Sequence, residues 1–168
     1  MSKEHTPSEF IPVIKGIESL LLEWEPRLSN LSEETITARK NKQNRNIRQI
    51  LGHMVDSASN NLHRIVHLQY QSSPFTFPNY ASYGNNDRWI AIQNYQEEDI
   101  SILIPLWKYI HLHLIHVIQN IDREKLENQW KADERLFINL KDMVVDFLRH
   151  FKLHLNEIEE LIDNTIES

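Results

Sequence analysis

Apolar side chains recur at three- and four-residue steps in four separate stretches of the chain, the spacing of amphipathic helices. The first stretch runs from about Ser8 to Trp24, with Val13, Ile14, Ile17, Leu20, Leu21 and Trp24 on one face. Pro26 is expected to end or kink it. The polar run from Ser32 to Arg45 reads as a connection. Asn46 is placed to cap a second helix carrying Ile47, Ile50, Leu51, Met54, Val55, Ala58, Leu62, Ile65 and Val66, broken by Ser72, Ser73, Pro74 and Pro78. The aromatic, turn-rich segment Phe75 to Asn86 follows, and Asp87 is expected to cap a short helix through Trp89 and Ile92. A third long helix is predicted over roughly Glu97 to Ile121, with Pro105 arguing for a start nearer Ile104. Asp122 to Ile138 is charged, with an extended piece around Leu126 to Trp130. Asn139 is placed to cap a fourth helix, through Leu140, Met143, Val144, Phe147, Leu148, Phe151, Leu155, Ile158 and Leu161. No repeat, low-complexity tract or linker divides the chain. The pattern predicts an all-α fold, one helical-bundle domain over residues 1–168.

Composition narrows the chemistry. Of 168 residues only three are glycine, against roughly 12 at the average usage of about 7%. Gly16, Gly52 and Gly84 form no phosphate-cradling motif, which disfavours dinucleotide folds and P-loops. Cysteine is absent, excluding disulfides, thiolate metal sites and cysteine nucleophiles. A net charge of −6 supplies no basic footprint for nucleic acid and no attraction to an anionic membrane. No window of about 18 uninterrupted apolar residues is present, and MSKEHTPSEF lacks the apolar segment of a signal peptide. The expectation is a cytoplasmic protein. Gly-x-Ser-x-Gly, His-Glu-x-x-His and Glu-x-x-His are all missing, the last arguing against a ferritin-like di-iron bundle.

Nine histidines carry the remaining signal. His150 and His154 stand one turn apart, a spacing that can chelate one ion. At about 100° per residue they share a sector with Met143, Phe147, Ile158 and Leu161, while Lys141, Arg149, Lys152 and Glu159 lie opposite. The pair therefore faces the core. It is either a metal-ligating pair or two core-edge histidines bonded to carbonyls or water. A third ligand must come from another element. His53 lies beside Ile50 at the margin of the second helix's apolar face; His63 and His67 are displaced towards solvent and read as surface or interface. His111, His113 and His116 lack acidic partners at ligand spacing and read as structural. Periodicity alone does not choose among them.

The run NRNIRQILGHMVDSASNNLHRI resembles the second helix of DinB/YfiT-like proteins, a family of metal-dependent hydrolases. A histidine in that family sits in an I-x-x-I-L-G-H-L-x-D-S-like context, matched here by Ile47, Ile50, Leu51, Gly52, His53, Met54, Asp56 and Ser57. The run LKDMVVDFLRHFKLHLNEI resembles the family's last helix, with its H-x-x-x-H at His150 and His154. The aromatic loop and the Trp89 region also fit. The resemblance implies a four-helix bundle of up-down-down-up type with the aromatic loop between helices 2 and 3. It further implies one divalent metal ion on His53, His150 and His154, and a homodimer. Two positions depart from the pattern: Asn46 replaces a serine or threonine, and Gln49 replaces an acid four residues before His53.

A three-histidine site with an open position would suit hydrolysis by activated water or, as in some relatives, transfer to an external thiol. Zinc, nickel and iron all accept imidazole nitrogen. Asp56 and Asp146 are candidates to orient a ligand or act as base, or else are ordinary solvated helix acids. Phe75, Phe77, Tyr80, Tyr83 and Trp89 either wall a pocket above the ion or close the end of the bundle. No catalytic residue is assigned. The expectation is a hydrolase or thiol-dependent transferase acting on a small molecule; the alternative is a non-catalytic metal-binding or interaction bundle.

Overall fold

Four long helices set the frame in the computed structural model, which describes residues 6–166, with side chains described to Asp163. The expectation that rested on the first five residues lies outside this range. Helix α1 spans Ile11–Ser29 after a 3-10 turn at Ser8–Phe10, and α2 spans Glu33–Ala38. Helix α3 is Ile47–Tyr70, strand β1 Phe75–Thr76, α4 Asn85–Gln93 and α5 Ile100–Gln119. Strands β2 (Gln129–Asp133) and β3 (Leu136–Asn139) lead directly into α6, Leu140–Ile166. Helices α1 and α3 each pack against both α5 and α6, so the four long helices surround one core. Phe10, Ile17, Leu51, Leu103, Trp107, Leu114, Phe151 and Ile158 lie at its centre.

Pro26, expected to end or kink the first helix, and Pro105, expected to lie near the start of the third, both sit inside helices, α1 and α5. Each removes an N–H that would reach a carbonyl four residues back. Those carbonyls belong to Leu22 and Ser101, both exposed, so water can satisfy them and the helices continue. Asp99, accepting from the Ser101 N–H at 2.8 Å, starts α5 ahead of Ile104. Helix α5 is long and apolar enough to cross a membrane by length and composition alone. Here its Leu103, Ile104, Trp107, Leu114 and Ile118 are buried against the bundle.

Local hydrogen bonds explain the other boundaries. Asn46 and Gln49 form a reciprocal capping box at the start of α3, at 3.0 and 3.1 Å. Asn139 accepts from the Asp142 N–H at 2.7 Å and opens α6. The stretch expected as plain connection holds α2, capped by Ser32 and anchored by buried Ile36. Its Glu33 takes both carboxylate bonds from Arg48 of α3, at 2.7 and 2.8 Å. Asp87 does not cap α4. Gly84, left-handed at φ 71°, precedes that helix, and Asp87 accepts instead from buried Arg45 at 2.6 Å.

A three-stranded sheet, ordered β1-β2-β3, is the main addition to the expected bundle. Strand β1 runs parallel to β2, with Phe75 opposite Trp130; β3 runs antiparallel, with Ile138 opposite Trp130. Trp130 and Ala132 are buried while Gln129, Lys131 and Asp133 are exposed, the two-residue alternation of a half-buried strand. Asn79 donates to the Ala132 carbonyl at 2.9 Å, tying the aromatic loop to the sheet.

Gly52 on α3 is required by a close approach. A Cβ there would lie 2.3 Å from the Tyr95 ring, and that ring is buried against the core. Gly52→Ala is therefore expected to cost about 1–3 kcal/mol through overpacking, despite the better helix propensity of alanine. Urea denaturation would read this as a lower midpoint; an unchanged midpoint would show that Tyr95 can move freely.

Candidate metal centre

Helices α3 and α6 bring His53, His150 and His154 together. Their ligand-capable nitrogens all lie within 4.8 Å of one another, and among the described residues this is the one such cluster of histidine or carboxylate groups. His53 Nε2 is 3.1 Å from His154 Nε2, and His154 Nε2 is 3.1 Å from His150 Nε2. The His154 ring stands nearly perpendicular to the other two, at 84° and 85°. His53 and His154 are buried; His150 is half-buried.

Every Nδ1 has a partner on the far side of its ring. His154 Nδ1 donates to Glu157 Oε2 at 2.9 Å, and Asn41 Nδ2 donates to the same oxygen at 3.3 Å. His53 Nδ1 meets the Tyr80 hydroxyl at 2.6 Å. His150 Nδ1 lies 3.4 Å from Ser57 Oγ. A proton on Nδ1 of His154 leaves its Nε2 as a bare lone pair, and the hydroxyls of Tyr80 and Ser57 can accept from the other two rings in the same tautomer. Three lone pairs converging in a buried space repel one another unless a cation lies between them. The donor set therefore fits a divalent ion of the imidazole-accepting kind.

Burial first, and then the charges of His154 and Arg45, lower the His53 pKa from 6.5 to about 2. Burial and His154 lower that of His150 to about 4. Glu157 stays ionised: burial opposes its charge, but the hydrogen bonds and charges of His154, with help from Asn41, leave its pKa below the usual range.

The carboxylates singled out in the sequence have different surroundings. Asp56 is buried; its Oδ1 accepts from Tyr95 and Gln93, each at 2.7 Å, and burial raises its pKa. It reaches the site only indirectly, raising the pKa of the Tyr80 hydroxyl, which burial already pushes up. Asp146 is exposed and doubly bonded to Arg149, at 2.6 and 2.9 Å, which holds its pKa down. Glu157 was not foreseen, although His150, His154 and Glu157 share one helix face at steps of four and three.

A cavity of about 600 Å³ opens beside the cluster. His53, Ser57 and Arg64 of α3, Met143, Phe147 and His150 of α6, and Trp130, Ala132 and Ile138 of the sheet line it. Asn79, Tyr80 and Ala81 form the loop's share of the wall, with Asn86 of α4. Tyr83 is 79% exposed and does not line the cavity. Trp89 stands behind Tyr80, edge to face at 5.3 Å. Phe75 and Phe77 pack instead around His67, with Phe75 stacked on its ring at 5.0 Å. His111 is buried against Phe147 and Phe151 with Nδ1 on the Trp107 carbonyl, at 2.6 Å.

The sequence profile of the DinB superfamily matches residues 21–158. The chain belongs to the DinB superfamily. The fold of this DinB-superfamily protein is that of a solved structure described as "YfiT from Bacillus subtilis is a probable metal-dependent hydrolase with an unusual four-helix bundle topology". The two superpose with a TM-score of 0.78 over 98% of this chain and 90% of that one, at 16% identity. No functionally curated protein matches the sequence.

The neutral, buried histidines make stability depend on pH with a definite sign. Each binds its proton more weakly folded than unfolded, so unfolding takes up protons below the unfolded value and stability falls as pH falls. For the metal-free protein the loss begins near 6.5 and continues towards about 4 for His150 and His111 and about 2 for His53. Asp56, with its raised pKa, opposes this only in the acid part of the window. Urea melts from pH 6.5 to 5 should show uptake of more than one proton on unfolding. A flat profile would contradict neutral burial of these rings.

Proposed function

We propose that the chain binds one divalent metal ion on His53, His150 and His154 and acts as a metal-dependent enzyme on a small molecule. The observation that carries this reading is the joint arrangement of three converging Nε2 atoms and the cavity of about 600 Å³ beside them. A closed structural site would not adjoin a space of that size, so the open arrangement favours catalysis over a purely stabilising ion. The description of the Bacillus subtilis structure as a probable metal-dependent hydrolase supports the same reading.

Bound there with an open position, a divalent ion would supply Lewis acidity and lower the pKa of a water or an external thiol, giving hydrolysis or thiol transfer. The chain's own part is orientation. Glu157 fixes the tautomer and angle of His154, Tyr80 holds the ring of His53 in place, and Ser57 supports His150. Asp146, held ionised by Arg149, is a weak base, and Asp56 binds Tyr95 and Gln93 through Oδ1 while its buried Oδ2 has no hydrogen-bond partner. Phe147, Met143, Ile138 and Trp130 give the cavity an apolar wall on which the uncharged part of a substrate can rest.

Protein purified without a histidine tag or chelator, or reconstituted with zinc, nickel or iron, should hold about one metal per chain. His150→Ala should lose it, and Glu157→Gln should weaken binding roughly 10–100-fold while leaving the ligands in place. Metal should raise the melting temperature of wild type but not of His150→Ala. No metal after reconstitution would overturn the reading; metal without turnover in hydrolysis and thiol-transfer screens would leave the non-catalytic bundle.

We also propose a homodimer. Exposed Ile102, Leu106 and Tyr109 share one face of α5, which supports pairing through that helix.

A further inference from the structure

Arg64 is out of place for an arginine. It is only 8% exposed, makes no ion pair among the described residues, and burial alone lowers its pKa to about 10, so it is still a cation at neutral pH. Buried guanidinium groups are ordinarily matched by a carboxylate. The other two buried arginines follow that rule, Arg45 with Asp87 and Arg48 with Glu33. The three acids lining the same cavity do not serve Arg64: Asp146 pairs with Arg149, Glu157 with His154, and Asp142 makes no bond to it.

The position of the guanidinium is well defined. Its Nε donates to the Asn60 carbonyl at 3.2 Å, and its Cζ lies 4.5 Å from the centre of the Trp130 ring. The side chain thus runs back one turn along α3, towards His53, and lies over an indole ring supplied by the sheet. With Nε engaged, its two terminal nitrogens are left to face a ligand, the fork that takes a carboxylate end-on. His53 and Arg64 are eleven residues apart, about three turns, and so share a face of α3. At 1.5 Å per residue their Cα levels lie about 16 Å apart along the axis, and both side chains lean towards the helix N-terminus.

We propose that Arg64 is the anion-binding residue of the cavity and that the substrate is a small molecule carrying a carboxylate remote from its reacting group. This rests on the metal-dependent reading for the reacting end but not for the Arg64 end. A single negative charge fits better than a phosphate dianion, because Asp142, Asp146 and Glu157 line the same space. Met143, Phe147 and Ile138 would cover the intervening chain.

Two measurements separate the ends. In the first, hexanoate is titrated into metal-free wild-type protein while the guanidinium resonances of Arg64, assigned through Arg64→Lys, are followed by NMR. A saturable shift with hexanoate and none with hexanol is expected. The absence of a shift, or an equal shift with hexanol, overturns the proposal whatever the metal site does. In the second, suberic acid monohydroxamate and its methyl ester are titrated into zinc-loaded protein. The free acid should bind at least tenfold more tightly, and the preference should vanish in Arg64→Gln at unchanged zinc content. Equal binding of acid and ester to wild type, or a preference that survives in Arg64→Gln, also overturns it. Failure of zinc to load sinks the metal reading, and the hexanoate titration still decides Arg64.

Discussion

Three imidazole nitrogens facing one another across about 3 Å inside a helical bundle would be a source of instability if left to themselves. Burial lowers the pKa values of His53 and His150, so no protons on their Nε2 atoms are at hand to separate the converging lone pairs. The rest of the structure is arranged to keep that convergence in place. Glu157 holds His154 from behind and is itself held by Asn41, from the connection between α2 and α3. Tyr80 holds His53 and is backed by Trp89. An arrangement with this many dedicated supports, aimed at one point, is what a metal ligand set requires.

The supports come from elements distant in sequence. Helix α3 contributes His53, Ser57 and Arg64 on one face, while its other faces enter the core and receive Tyr95 over Gly52. The aromatic loop is fixed by Asn79 to β2, and the sheet in turn presents Trp130 to Arg64. A bundle of four helices alone would leave this end of α3 and α6 open to water. The sheet and loop convert the opening into a walled cavity. They also give it two chemically different ends, lone pairs at one and a cation at the other.

The helical core was legible because long runs such as Ile47–Val66 and Leu140–Leu161 repeat at the helical period, and because Asn46 and Asn139 sit where caps belong. That α1 continues past Pro26 and that α5 begins ahead of Pro105 depend on whether water reaches the freed carbonyl, which composition does not reveal. Helix α2 was hidden by its single buried apolar residue, Ile36. The sheet was nearly legible: Gln129–Asp133 alternates in burial, but a parallel pairing with Phe75 is a long-range contact. At the site, the inward direction of His150 and His154 followed from angles on one helix. The convergence with His53 needed the fold. Glu157 was available at i+3 from His154 and passed over, whereas Tyr80 could not be chosen over Tyr83 or Trp89, since loop residues carry no period. The buried state of Asp56 depends on Gln93, at the end of α4, and on Tyr95, from the turn after it.

X-ray absorption spectroscopy on zinc-loaded protein tests the central claim most directly. The account predicts three imidazole nitrogens at about 2.0–2.1 Å, seen through their ring scattering, with at least one further oxygen or nitrogen ligand that exchanges with added small molecules. Two or fewer imidazoles, or a fourth protein ligand closing the shell, would contradict it.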